Sequence, residues 1–217
     1  ALNLAETETT KQMIRLFFLT ESSKKANLDV SSEIPEINHC TVIGAGVMGA
    51  GIAQWTASRK IPVLLKDINN EAIGRGMKTI GKRFHEAVKR RIFTKGAAAE
   101  RQNMITPTSQ DVPIKHTDLV IEAAVENMGI KQKIFAELAS RTREDTILAT
   151  NTSALSIEEL ANAIPNPERV VGLHFFNPVH RMKLVEIIYT ENTKPEVTQA
   201  CLNFVRRIGK SPVIVRD

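Results

Sequence analysis

With 217 residues, a formal net charge of +5, 42% hydrophobic and 24% charged side chains, the chain has room for one large domain, or one domain with appendages. No apolar run approaches the roughly 20 residues needed to cross a bilayer, and the start, with Glu6, Glu8 and a short apolar cluster at residues 16–19, lacks the build of a secretory signal. Cys40 and Cys201 are far apart and form no CxxC pair, which argues against a disulfide framework or zinc site and for a reducing compartment. The basic residues are spread out and accompanied by one Tyr and one Trp, too few aromatics for a base-stacking nucleic-acid platform.

Residues 1–28 read as a helical appendage. Thr9 followed by Gln12 fits a capping box, and Met13, Leu16 and Phe17 fall at helical spacing with Ile14 and Phe18 beside them. One helix cannot bury that stripe alone, so it is expected to pack on another element. Residues 29–38 are polar and contain a proline, which suits a linker. From His39 onward short apolar runs alternate with helical segments. CTVIG reads as a buried strand, 47–58 as a helix, IPVLLKD as a second strand and 69–93 as one long helical stretch. DLVIEA, TILAT and RVVGLHF read as further strands, separated by helices around 131–141 and 157–163. KLVEIIY and SPVIV flank a last helix over 196–207. The alternation implies βαβ units in an α/β, Rossmann-like, doubly wound and mainly parallel sheet, with extra strands near the C-terminus.

Gly44-Ala45-Gly46-Val47-Met48-Gly49 fits G-x-G-x-x-G directly after a strand and at the opening of a helix. Gly44 permits the tight turn, Gly46 lets a pyrophosphate approach the backbone and Gly49 lets helix and strand pack closely. The pyrophosphate would sit at the helix N-terminus, where free N–H groups favour an anion. Asp67 ends the second strand, where an acid hydrogen-bonds the adenosine ribose; its bland alternative is a cap for the next helix. An acid there repels a 2′-phosphate, so NAD is expected over NADP. Lys66 beside it is expected to point to the other face of the strand.

His174 lies at the end of a predicted strand, where ligands of open α/β sheets collect. Glu186 lies in a later apolar run, between Val185 and Ile187, a costly place for a carboxylate without a partner. Asn177-Pro178 turns the chain back between them, so His174 and Glu186 can meet, and a paired imidazole suits acid–base work near neutral pH. The alternative is a structural strand-end histidine. Asn151-Thr152-Ser153 ends TILAT, either to cap the following helix through Ser153 or Ser156 or to hydrogen-bond a substrate oxygen. Glu126 and Lys131 follow DLVIEA and read as surface charges unless they reach the cofactor. The densest basic stretch, Lys78, Lys82, Arg83, Lys89, Arg90 and Arg91, is either a solvated helix face or a docking surface for an anionic small molecule.

GAGVMGAGIAQ, VIEAAVENMGIKQKIF, TNTSALSI and GLHFFNPVHRMKLVEII, in that order, resemble the 3-hydroxyacyl-CoA dehydrogenase family over about residues 39–217. The resemblance implies oxidation of (S)-3-hydroxyacyl-CoA to 3-oxoacyl-CoA with NAD. It makes His174 the base, Glu186 its partner and Ser153 a contact to the substrate's 3-oxygen. Glu126, Lys131, Ser153 and Asn177 would line the NAD site, and Lys78 and Lys82 are candidates for acyl-CoA contact. It also implies a following helical domain, and the N-terminal helix resembles the segment joining hydratase and dehydrogenase halves of multifunctional β-oxidation proteins. With Ala1 in place of an initiator Met, the chain is expected to be cut from such a protein. That protein would be cytoplasmic in a bacterium, or peroxisomal or mitochondrial in a eukaryote, with a thiolase subunit as a further partner. The alternatives are a stand-alone 3-hydroxybutyryl-CoA dehydrogenase and a crystallin-like relative without activity.

Overall fold

Four-residue strands buried on both faces need helices on both sides, and the computed structural model, which describes residues 7–25, 27–30 and 32–217, supplies them. After a first helix, α1 (Glu8–Lys25), come β1 (Cys40–Ile43), α2 (Val47–Ser58), β2 (Val63–Lys66), α3 (Asn70–Lys89), α4 (Lys95–Gln102), β3 (Ile105–Thr108) and β4 (Leu119–Glu122). Then follow α5 (Met128–Arg141), β5 (Ile147–Thr150), α6 (Ile157–Ala161), a 3-10 turn (Pro167–Arg169), β6 (Val170–Phe175), β7 (Leu184–Tyr189), α7 (Pro195–Arg207) and β8 (Ser211–Arg216). The eight strands form one sheet in the order β3-β2-β1-β4-β5-β6-β7-β8. Among the described residues only β6 and β7 pair antiparallel.

Alternate residues of each strand enter opposite cores, as the pleat requires. Val42, Ile121, Ala149 and Leu173 face the layer of α2, α3 and α7, while Val120, Leu148 and Val170 face Phe135 and Leu138 of α5 and Leu160 of α6. The strand order reverses at β1, between β2 and β4, so the loops after β1 and β4 part there and open a crevice at the C-terminal edge of the sheet.

Several elements depart from the sequence reading. The stretch expected as one helix over 69–93 ends at Lys89, and α4 and β3 follow it unannounced. Thr94 caps α4 by accepting from Ala97 N at 3.1 Å. β3 is an edge strand containing Pro107, the one kind of strand where a missing N–H costs little. Helix α1 starts two residues earlier than the expected capping box: Thr7, not Thr9, is the cap, accepting from Thr10 N at 3.2 Å. Its Met13, Ile14 and Phe18 are exposed, while the side chains of Leu16 and Phe17 lie outside the described residues. The segment after it runs along α7, with Leu28 N donating to Gln199 and Ile37 buried.

Candidate functional site

The glycine loop separates cleanly into positions the fold demands and one it does not. Gly44 has φ +101°, a conformation that favours glycine, and a Cβ there would stand 2.6 Å from the Ala123 carbonyl oxygen. At Gly49 a Cβ would fall 1.7 Å from the Gly44 oxygen, so the strand–helix packing forbids one. Gly46 is different: nothing lies within 4 Å of where its Cβ would be. The fold leaves that space open, and α2 begins there with no side-chain cap. Unused first-turn N–H groups beside Val47 and Met48 make an anion site, and the residues present therefore fit a dinucleotide pyrophosphate.

Asp67 stands at the tip of β2 and braces this loop, accepting from Ala45 N at 2.6 Å and from Ile68 N at 2.7 Å. It is not the cap of α3; Asn69 is, accepting from Ala72 N at 2.8 Å. Beside Asp67 a cavity of about 320 Å³ runs between Gly44, Ala124, Ile134 and Leu138, a largely apolar slot of a size that takes a flat base. Lys66 lines the same cavity, so strand alternation does not remove it from the site as expected. Its ammonium is already paired with Asp111 and lies 3.8 Å from Glu137. Hydrogen bonds from Lys66 and Arg141 hold the Asp111 carboxyl down at about 2. Lys66 is therefore spoken for and does little to offset the negative charge of Asp67.

At the end of β4 the sequence reading is corrected. Lys131 is not a surface charge but fully buried, with Nζ 2.8 Å from both carboxylate oxygens of Glu122, itself fully buried. Glu122 also accepts from Ala124 N and from Thr150 Oγ1, each at 2.7 Å, which satisfies its remaining lone pairs. Glu126 completes the chain: it lies 3.4 Å from Lys131 Nζ and accepts from Thr152 Oγ1 and, at 3.1 Å, from Ser153 N. Burial opposes its ionisation, but these hydrogen bonds and the Lys131 charge prevail and hold the Glu126 carboxyl below its usual range. One polar chain thus ties β4, α5 and the loop after β5. Ser153 is left with its side chain exposed, in a shallow depression it shares with Glu186. Ser156, of the two candidates, caps α6, accepting from Glu159 N at 3.1 Å.

His174 and Glu186 are directly opposite in the antiparallel β6–β7 register, and His174 Nδ1 lies 2.9 Å from Glu186 Oε2. Cross-strand partners share a face of the sheet, which is why the hairpin brings them together. The Phe176 ring leans on the imidazole at 4.4 Å between centroids, and Asn151 Oδ1 accepts from Phe175 N at 2.8 Å, tying the β6 end to β5. Asn177 is exposed where the β6–β7 loop begins. β1, β4, β5 and β6 are parallel, so the glycine loop, Glu126 and Ser153 follow strand ends on the edge where His174 lies near the end of β6.

A second cavity, about 430 Å³, opens between α2, α3 and the β6–β7 loop. From α3 and its C-terminal cap it is lined by Arg83 and Arg90, not by Lys78 and Lys82, which are exposed on another face of the helix. His180, Arg181 and Arg59 add to its basic wall, and Trp55 and Phe93 supply an aromatic one. Gln54 Oε1, Arg83 Nη1 and His180 Nδ1 are buried there without a hydrogen-bond partner. Burial, and then Arg83 and Arg181, hold the His180 imidazole below its usual pKa. The spacing of Arg83, Ala87 and Arg90 puts them on one helical face, a signal that could have singled them out from the sequence.

A glycine loop at the switch point of a doubly wound sheet, with an acid at the tip of the next strand, defines a Rossmann-type dinucleotide-binding domain. Residues 39–217 match the family described as 3-hydroxyacyl-CoA dehydrogenase, NAD binding domain, and the chain belongs to that family. It is 38% identical over 216 residues to the fatty acid oxidation complex subunit alpha of Pseudomonas savastanoi pv. phaseolicola, covering 100% of this chain and 30% of that one. Among solved structures it resembles 3-hydroxybutyryl-CoA dehydrogenase of Escherichia coli K12, with TM-score 0.81, 40% identity and coverage of 83% of this chain and 38% of that one. The (S)-3-hydroxybutyryl-CoA dehydrogenase of Ralstonia eutropha gives TM-score 0.82, 35% identity and coverage of 84% and 64%. The chain thus spans about 30% of the length of the curated relatives it matches. Among the described residues no helix is long and apolar enough to cross a membrane.

Proposed function

We propose that the chain is the NAD-binding part of an (S)-3-hydroxyacyl-CoA dehydrogenase of fatty-acid β-oxidation, carried in a longer multifunctional polypeptide. The observation that carries this reading is the His174–Glu186 pair on the sheet edge that also holds the glycine loop and Ser153. A nicotinamide cofactor held by the glycine loop and Asp67 would supply the acceptor for the hydride leaving C3, whose hydroxyl would become a carbonyl. His174 takes the hydroxyl proton on Nε2, because Nδ1 is turned to Glu186. Glu186 orients the ring and stabilises the imidazolium, as a buried acid does in a hydrolase triad. Ser153 donates to the 3-oxygen, with its backbone steadied by Glu126. Lys131 keeps the Glu126 carboxylate charged beside it, and Asn177 stands at the mouth of the site.

The basic cavity of Arg83, Arg90, His180 and Arg181 is the docking place of the CoA phosphates, with Trp55 and Phe93 as walls for its apolar parts. The alignment to alpha subunits takes in 100% of this chain, against 83–84% for the two 3-hydroxybutyryl-CoA dehydrogenases, which favours the multifunctional reading. That reading brings a helical domain and a hydratase region in the same polypeptide, a thiolase subunit as partner and a cytoplasmic setting.

Two binding experiments test it. The chain should bind NADH in preference to NADPH by nicotinamide fluorescence, and Asp67→Ala should narrow the preference by removing the charge that repels a 2′-phosphate. Equal affinity of the wild type for both would remove Asp67 from the ribose site. Arg83→Gln combined with Arg90→Gln should weaken CoA binding by about tenfold or more while NADH affinity stays put, since charge-assisted bonds to phosphate are worth roughly 1.5–3 kcal/mol each. Unchanged CoA affinity would place the nucleotide elsewhere.

A further inference from the structure

Lys210 follows Gly209 at the entrance to β8 and is buried. Its Nζ donates to the carbonyl oxygens of Val179 and, at 2.5 Å, of Met182, and stands 4.1 Å from the centre of the Trp55 ring. Among the described residues no carboxylate pairs with it. A buried ammonium without a carboxylate partner is costly, so two carbonyls and an aromatic face are what keep it there. Those carbonyls flank His180 and Arg181, which line the basic cavity, and Trp55 lines that cavity too. Trp55 is itself fixed: Nε1 donates to the Ile208 carbonyl at 2.9 Å, and Arg59 lies over its ring at 4.6 Å. Val179 packs onto α2, where a Cβ on Gly51 would meet it at 2.9 Å.

We propose that Lys210 is a positioning residue of the acyl-CoA site, clamping residues 179–182 to Trp55 so that His180 and Arg181 face the cavity. The assignment of ligand rests on the function proposed above; the clamp does not. An Arg in this place keeps the charge, whereas a Met keeps the volume and loses both carbonyl contacts. The clamp also weakens with alkali. Burial, and then Arg59, lower the Lys210 pKa from 10.5 to about 8. Below about pH 8 the ammonium is present and the loop is held; above it the proton is lost and the cation no longer faces the indole. The other charged groups around the cavity are Arg59, Arg83, Arg90, Arg181 and Glu86, and His180, whose pKa burial holds low, is neutral in that window.

The emission of Trp55, the single tryptophan, reads the clamp directly. In the wild-type chain it should change with a midpoint near pH 8, and the change should be absent in Lys210→Arg and Lys210→Met. CoA titrated below the midpoint should bind Lys210→Met about tenfold more weakly than wild type, with Lys210→Arg recovering most of the loss. A wild-type Trp55 signal flat across that range, or Lys210→Met matching wild type in both emission profile and CoA affinity, overturns the clamp. If Lys210→Met does not fold, wild type and Lys210→Arg still decide it: a transition near pH 8 persisting in the Arg variant rules Lys210 out as its source. A wild type that shows the Trp55 transition but does not bind CoA leaves the clamp standing and overturns the acyl-CoA reading instead.

Discussion

His174→Ala is expected to lower kcat by about 10²–10⁴-fold, the usual loss for a general base, while NADH affinity changes little. The separation follows from the sheet. His174 lies on β6, with β4 and β5 between it and the glycine loop that follows β1, so the loop and Asp67 are untouched by the substitution. The assay is NADH oxidation on addition of acetoacetyl-CoA, in the polypeptide of the length its relatives have, beside NADH binding by fluorescence. Glu186→Gln should lower kcat less, because the amide still holds the ring at hydrogen-bond distance but no longer stabilises an imidazolium. A structural histidine would behave otherwise: its loss would move the melting temperature and leave kcat per folded molecule intact. That outcome would remove His174 from the chemistry.

The second large effect separates two glycines that the motif treats alike. Gly49→Ala puts a methyl 1.7 Å from the Gly44 oxygen and 3.3 Å from Val42, both part of the strand–loop unit that α2 packs against. The Gly44 backbone cannot yield without moving the helix off the sheet, so the variant should melt lower and lose NADH binding together; overpacking costs about 1–3 kcal/mol, and more where backbone is struck. Gly46→Ala meets nothing within 4 Å and should melt like wild type. It should nonetheless weaken NADH binding several-fold, with a bulkier Gly46→Val abolishing it, because the methyls occupy the space the pyrophosphate needs. Melting curves and NADH titration on the three variants decide the matter. Full NADH affinity in Gly46→Val would mean that the open space is not the cofactor's.

Much of this was legible before the tertiary structure, for reasons that differ by residue. The turn at Gly44, the start of α2 and the facing of His174 and Glu186 depend on neighbours a few positions away or on one hairpin, and short-range patterns encode them. Lys66 misled because strand alternation says which way a side chain leaves the backbone, not where a long, flexible chain ends; the Lys66 ammonium turns back to Asp111. β3 and α4 went unseen because a four-residue edge strand with a proline and an eight-residue helix carry little periodicity.

The amino-acid sequence by itself determined the alternating sheet, the dinucleotide loop and the facing of His174 and Glu186, since each arises from local spacing that any fold of this class must respect. The tertiary structure alone decided that Lys131 is buried, that Arg83 and Arg90 face the basic cavity and that Lys210 ties the β6–β7 loop to Trp55. Those outcomes concern long charged side chains, whose burial is set by what several distant elements bring around them: Glu122 and Thr150 for Lys131, and Val179, Met182 and Trp55 for Lys210. A charge leaves water only where enough partners converge, and that convergence is a property of the packed sheet rather than of any stretch of chain.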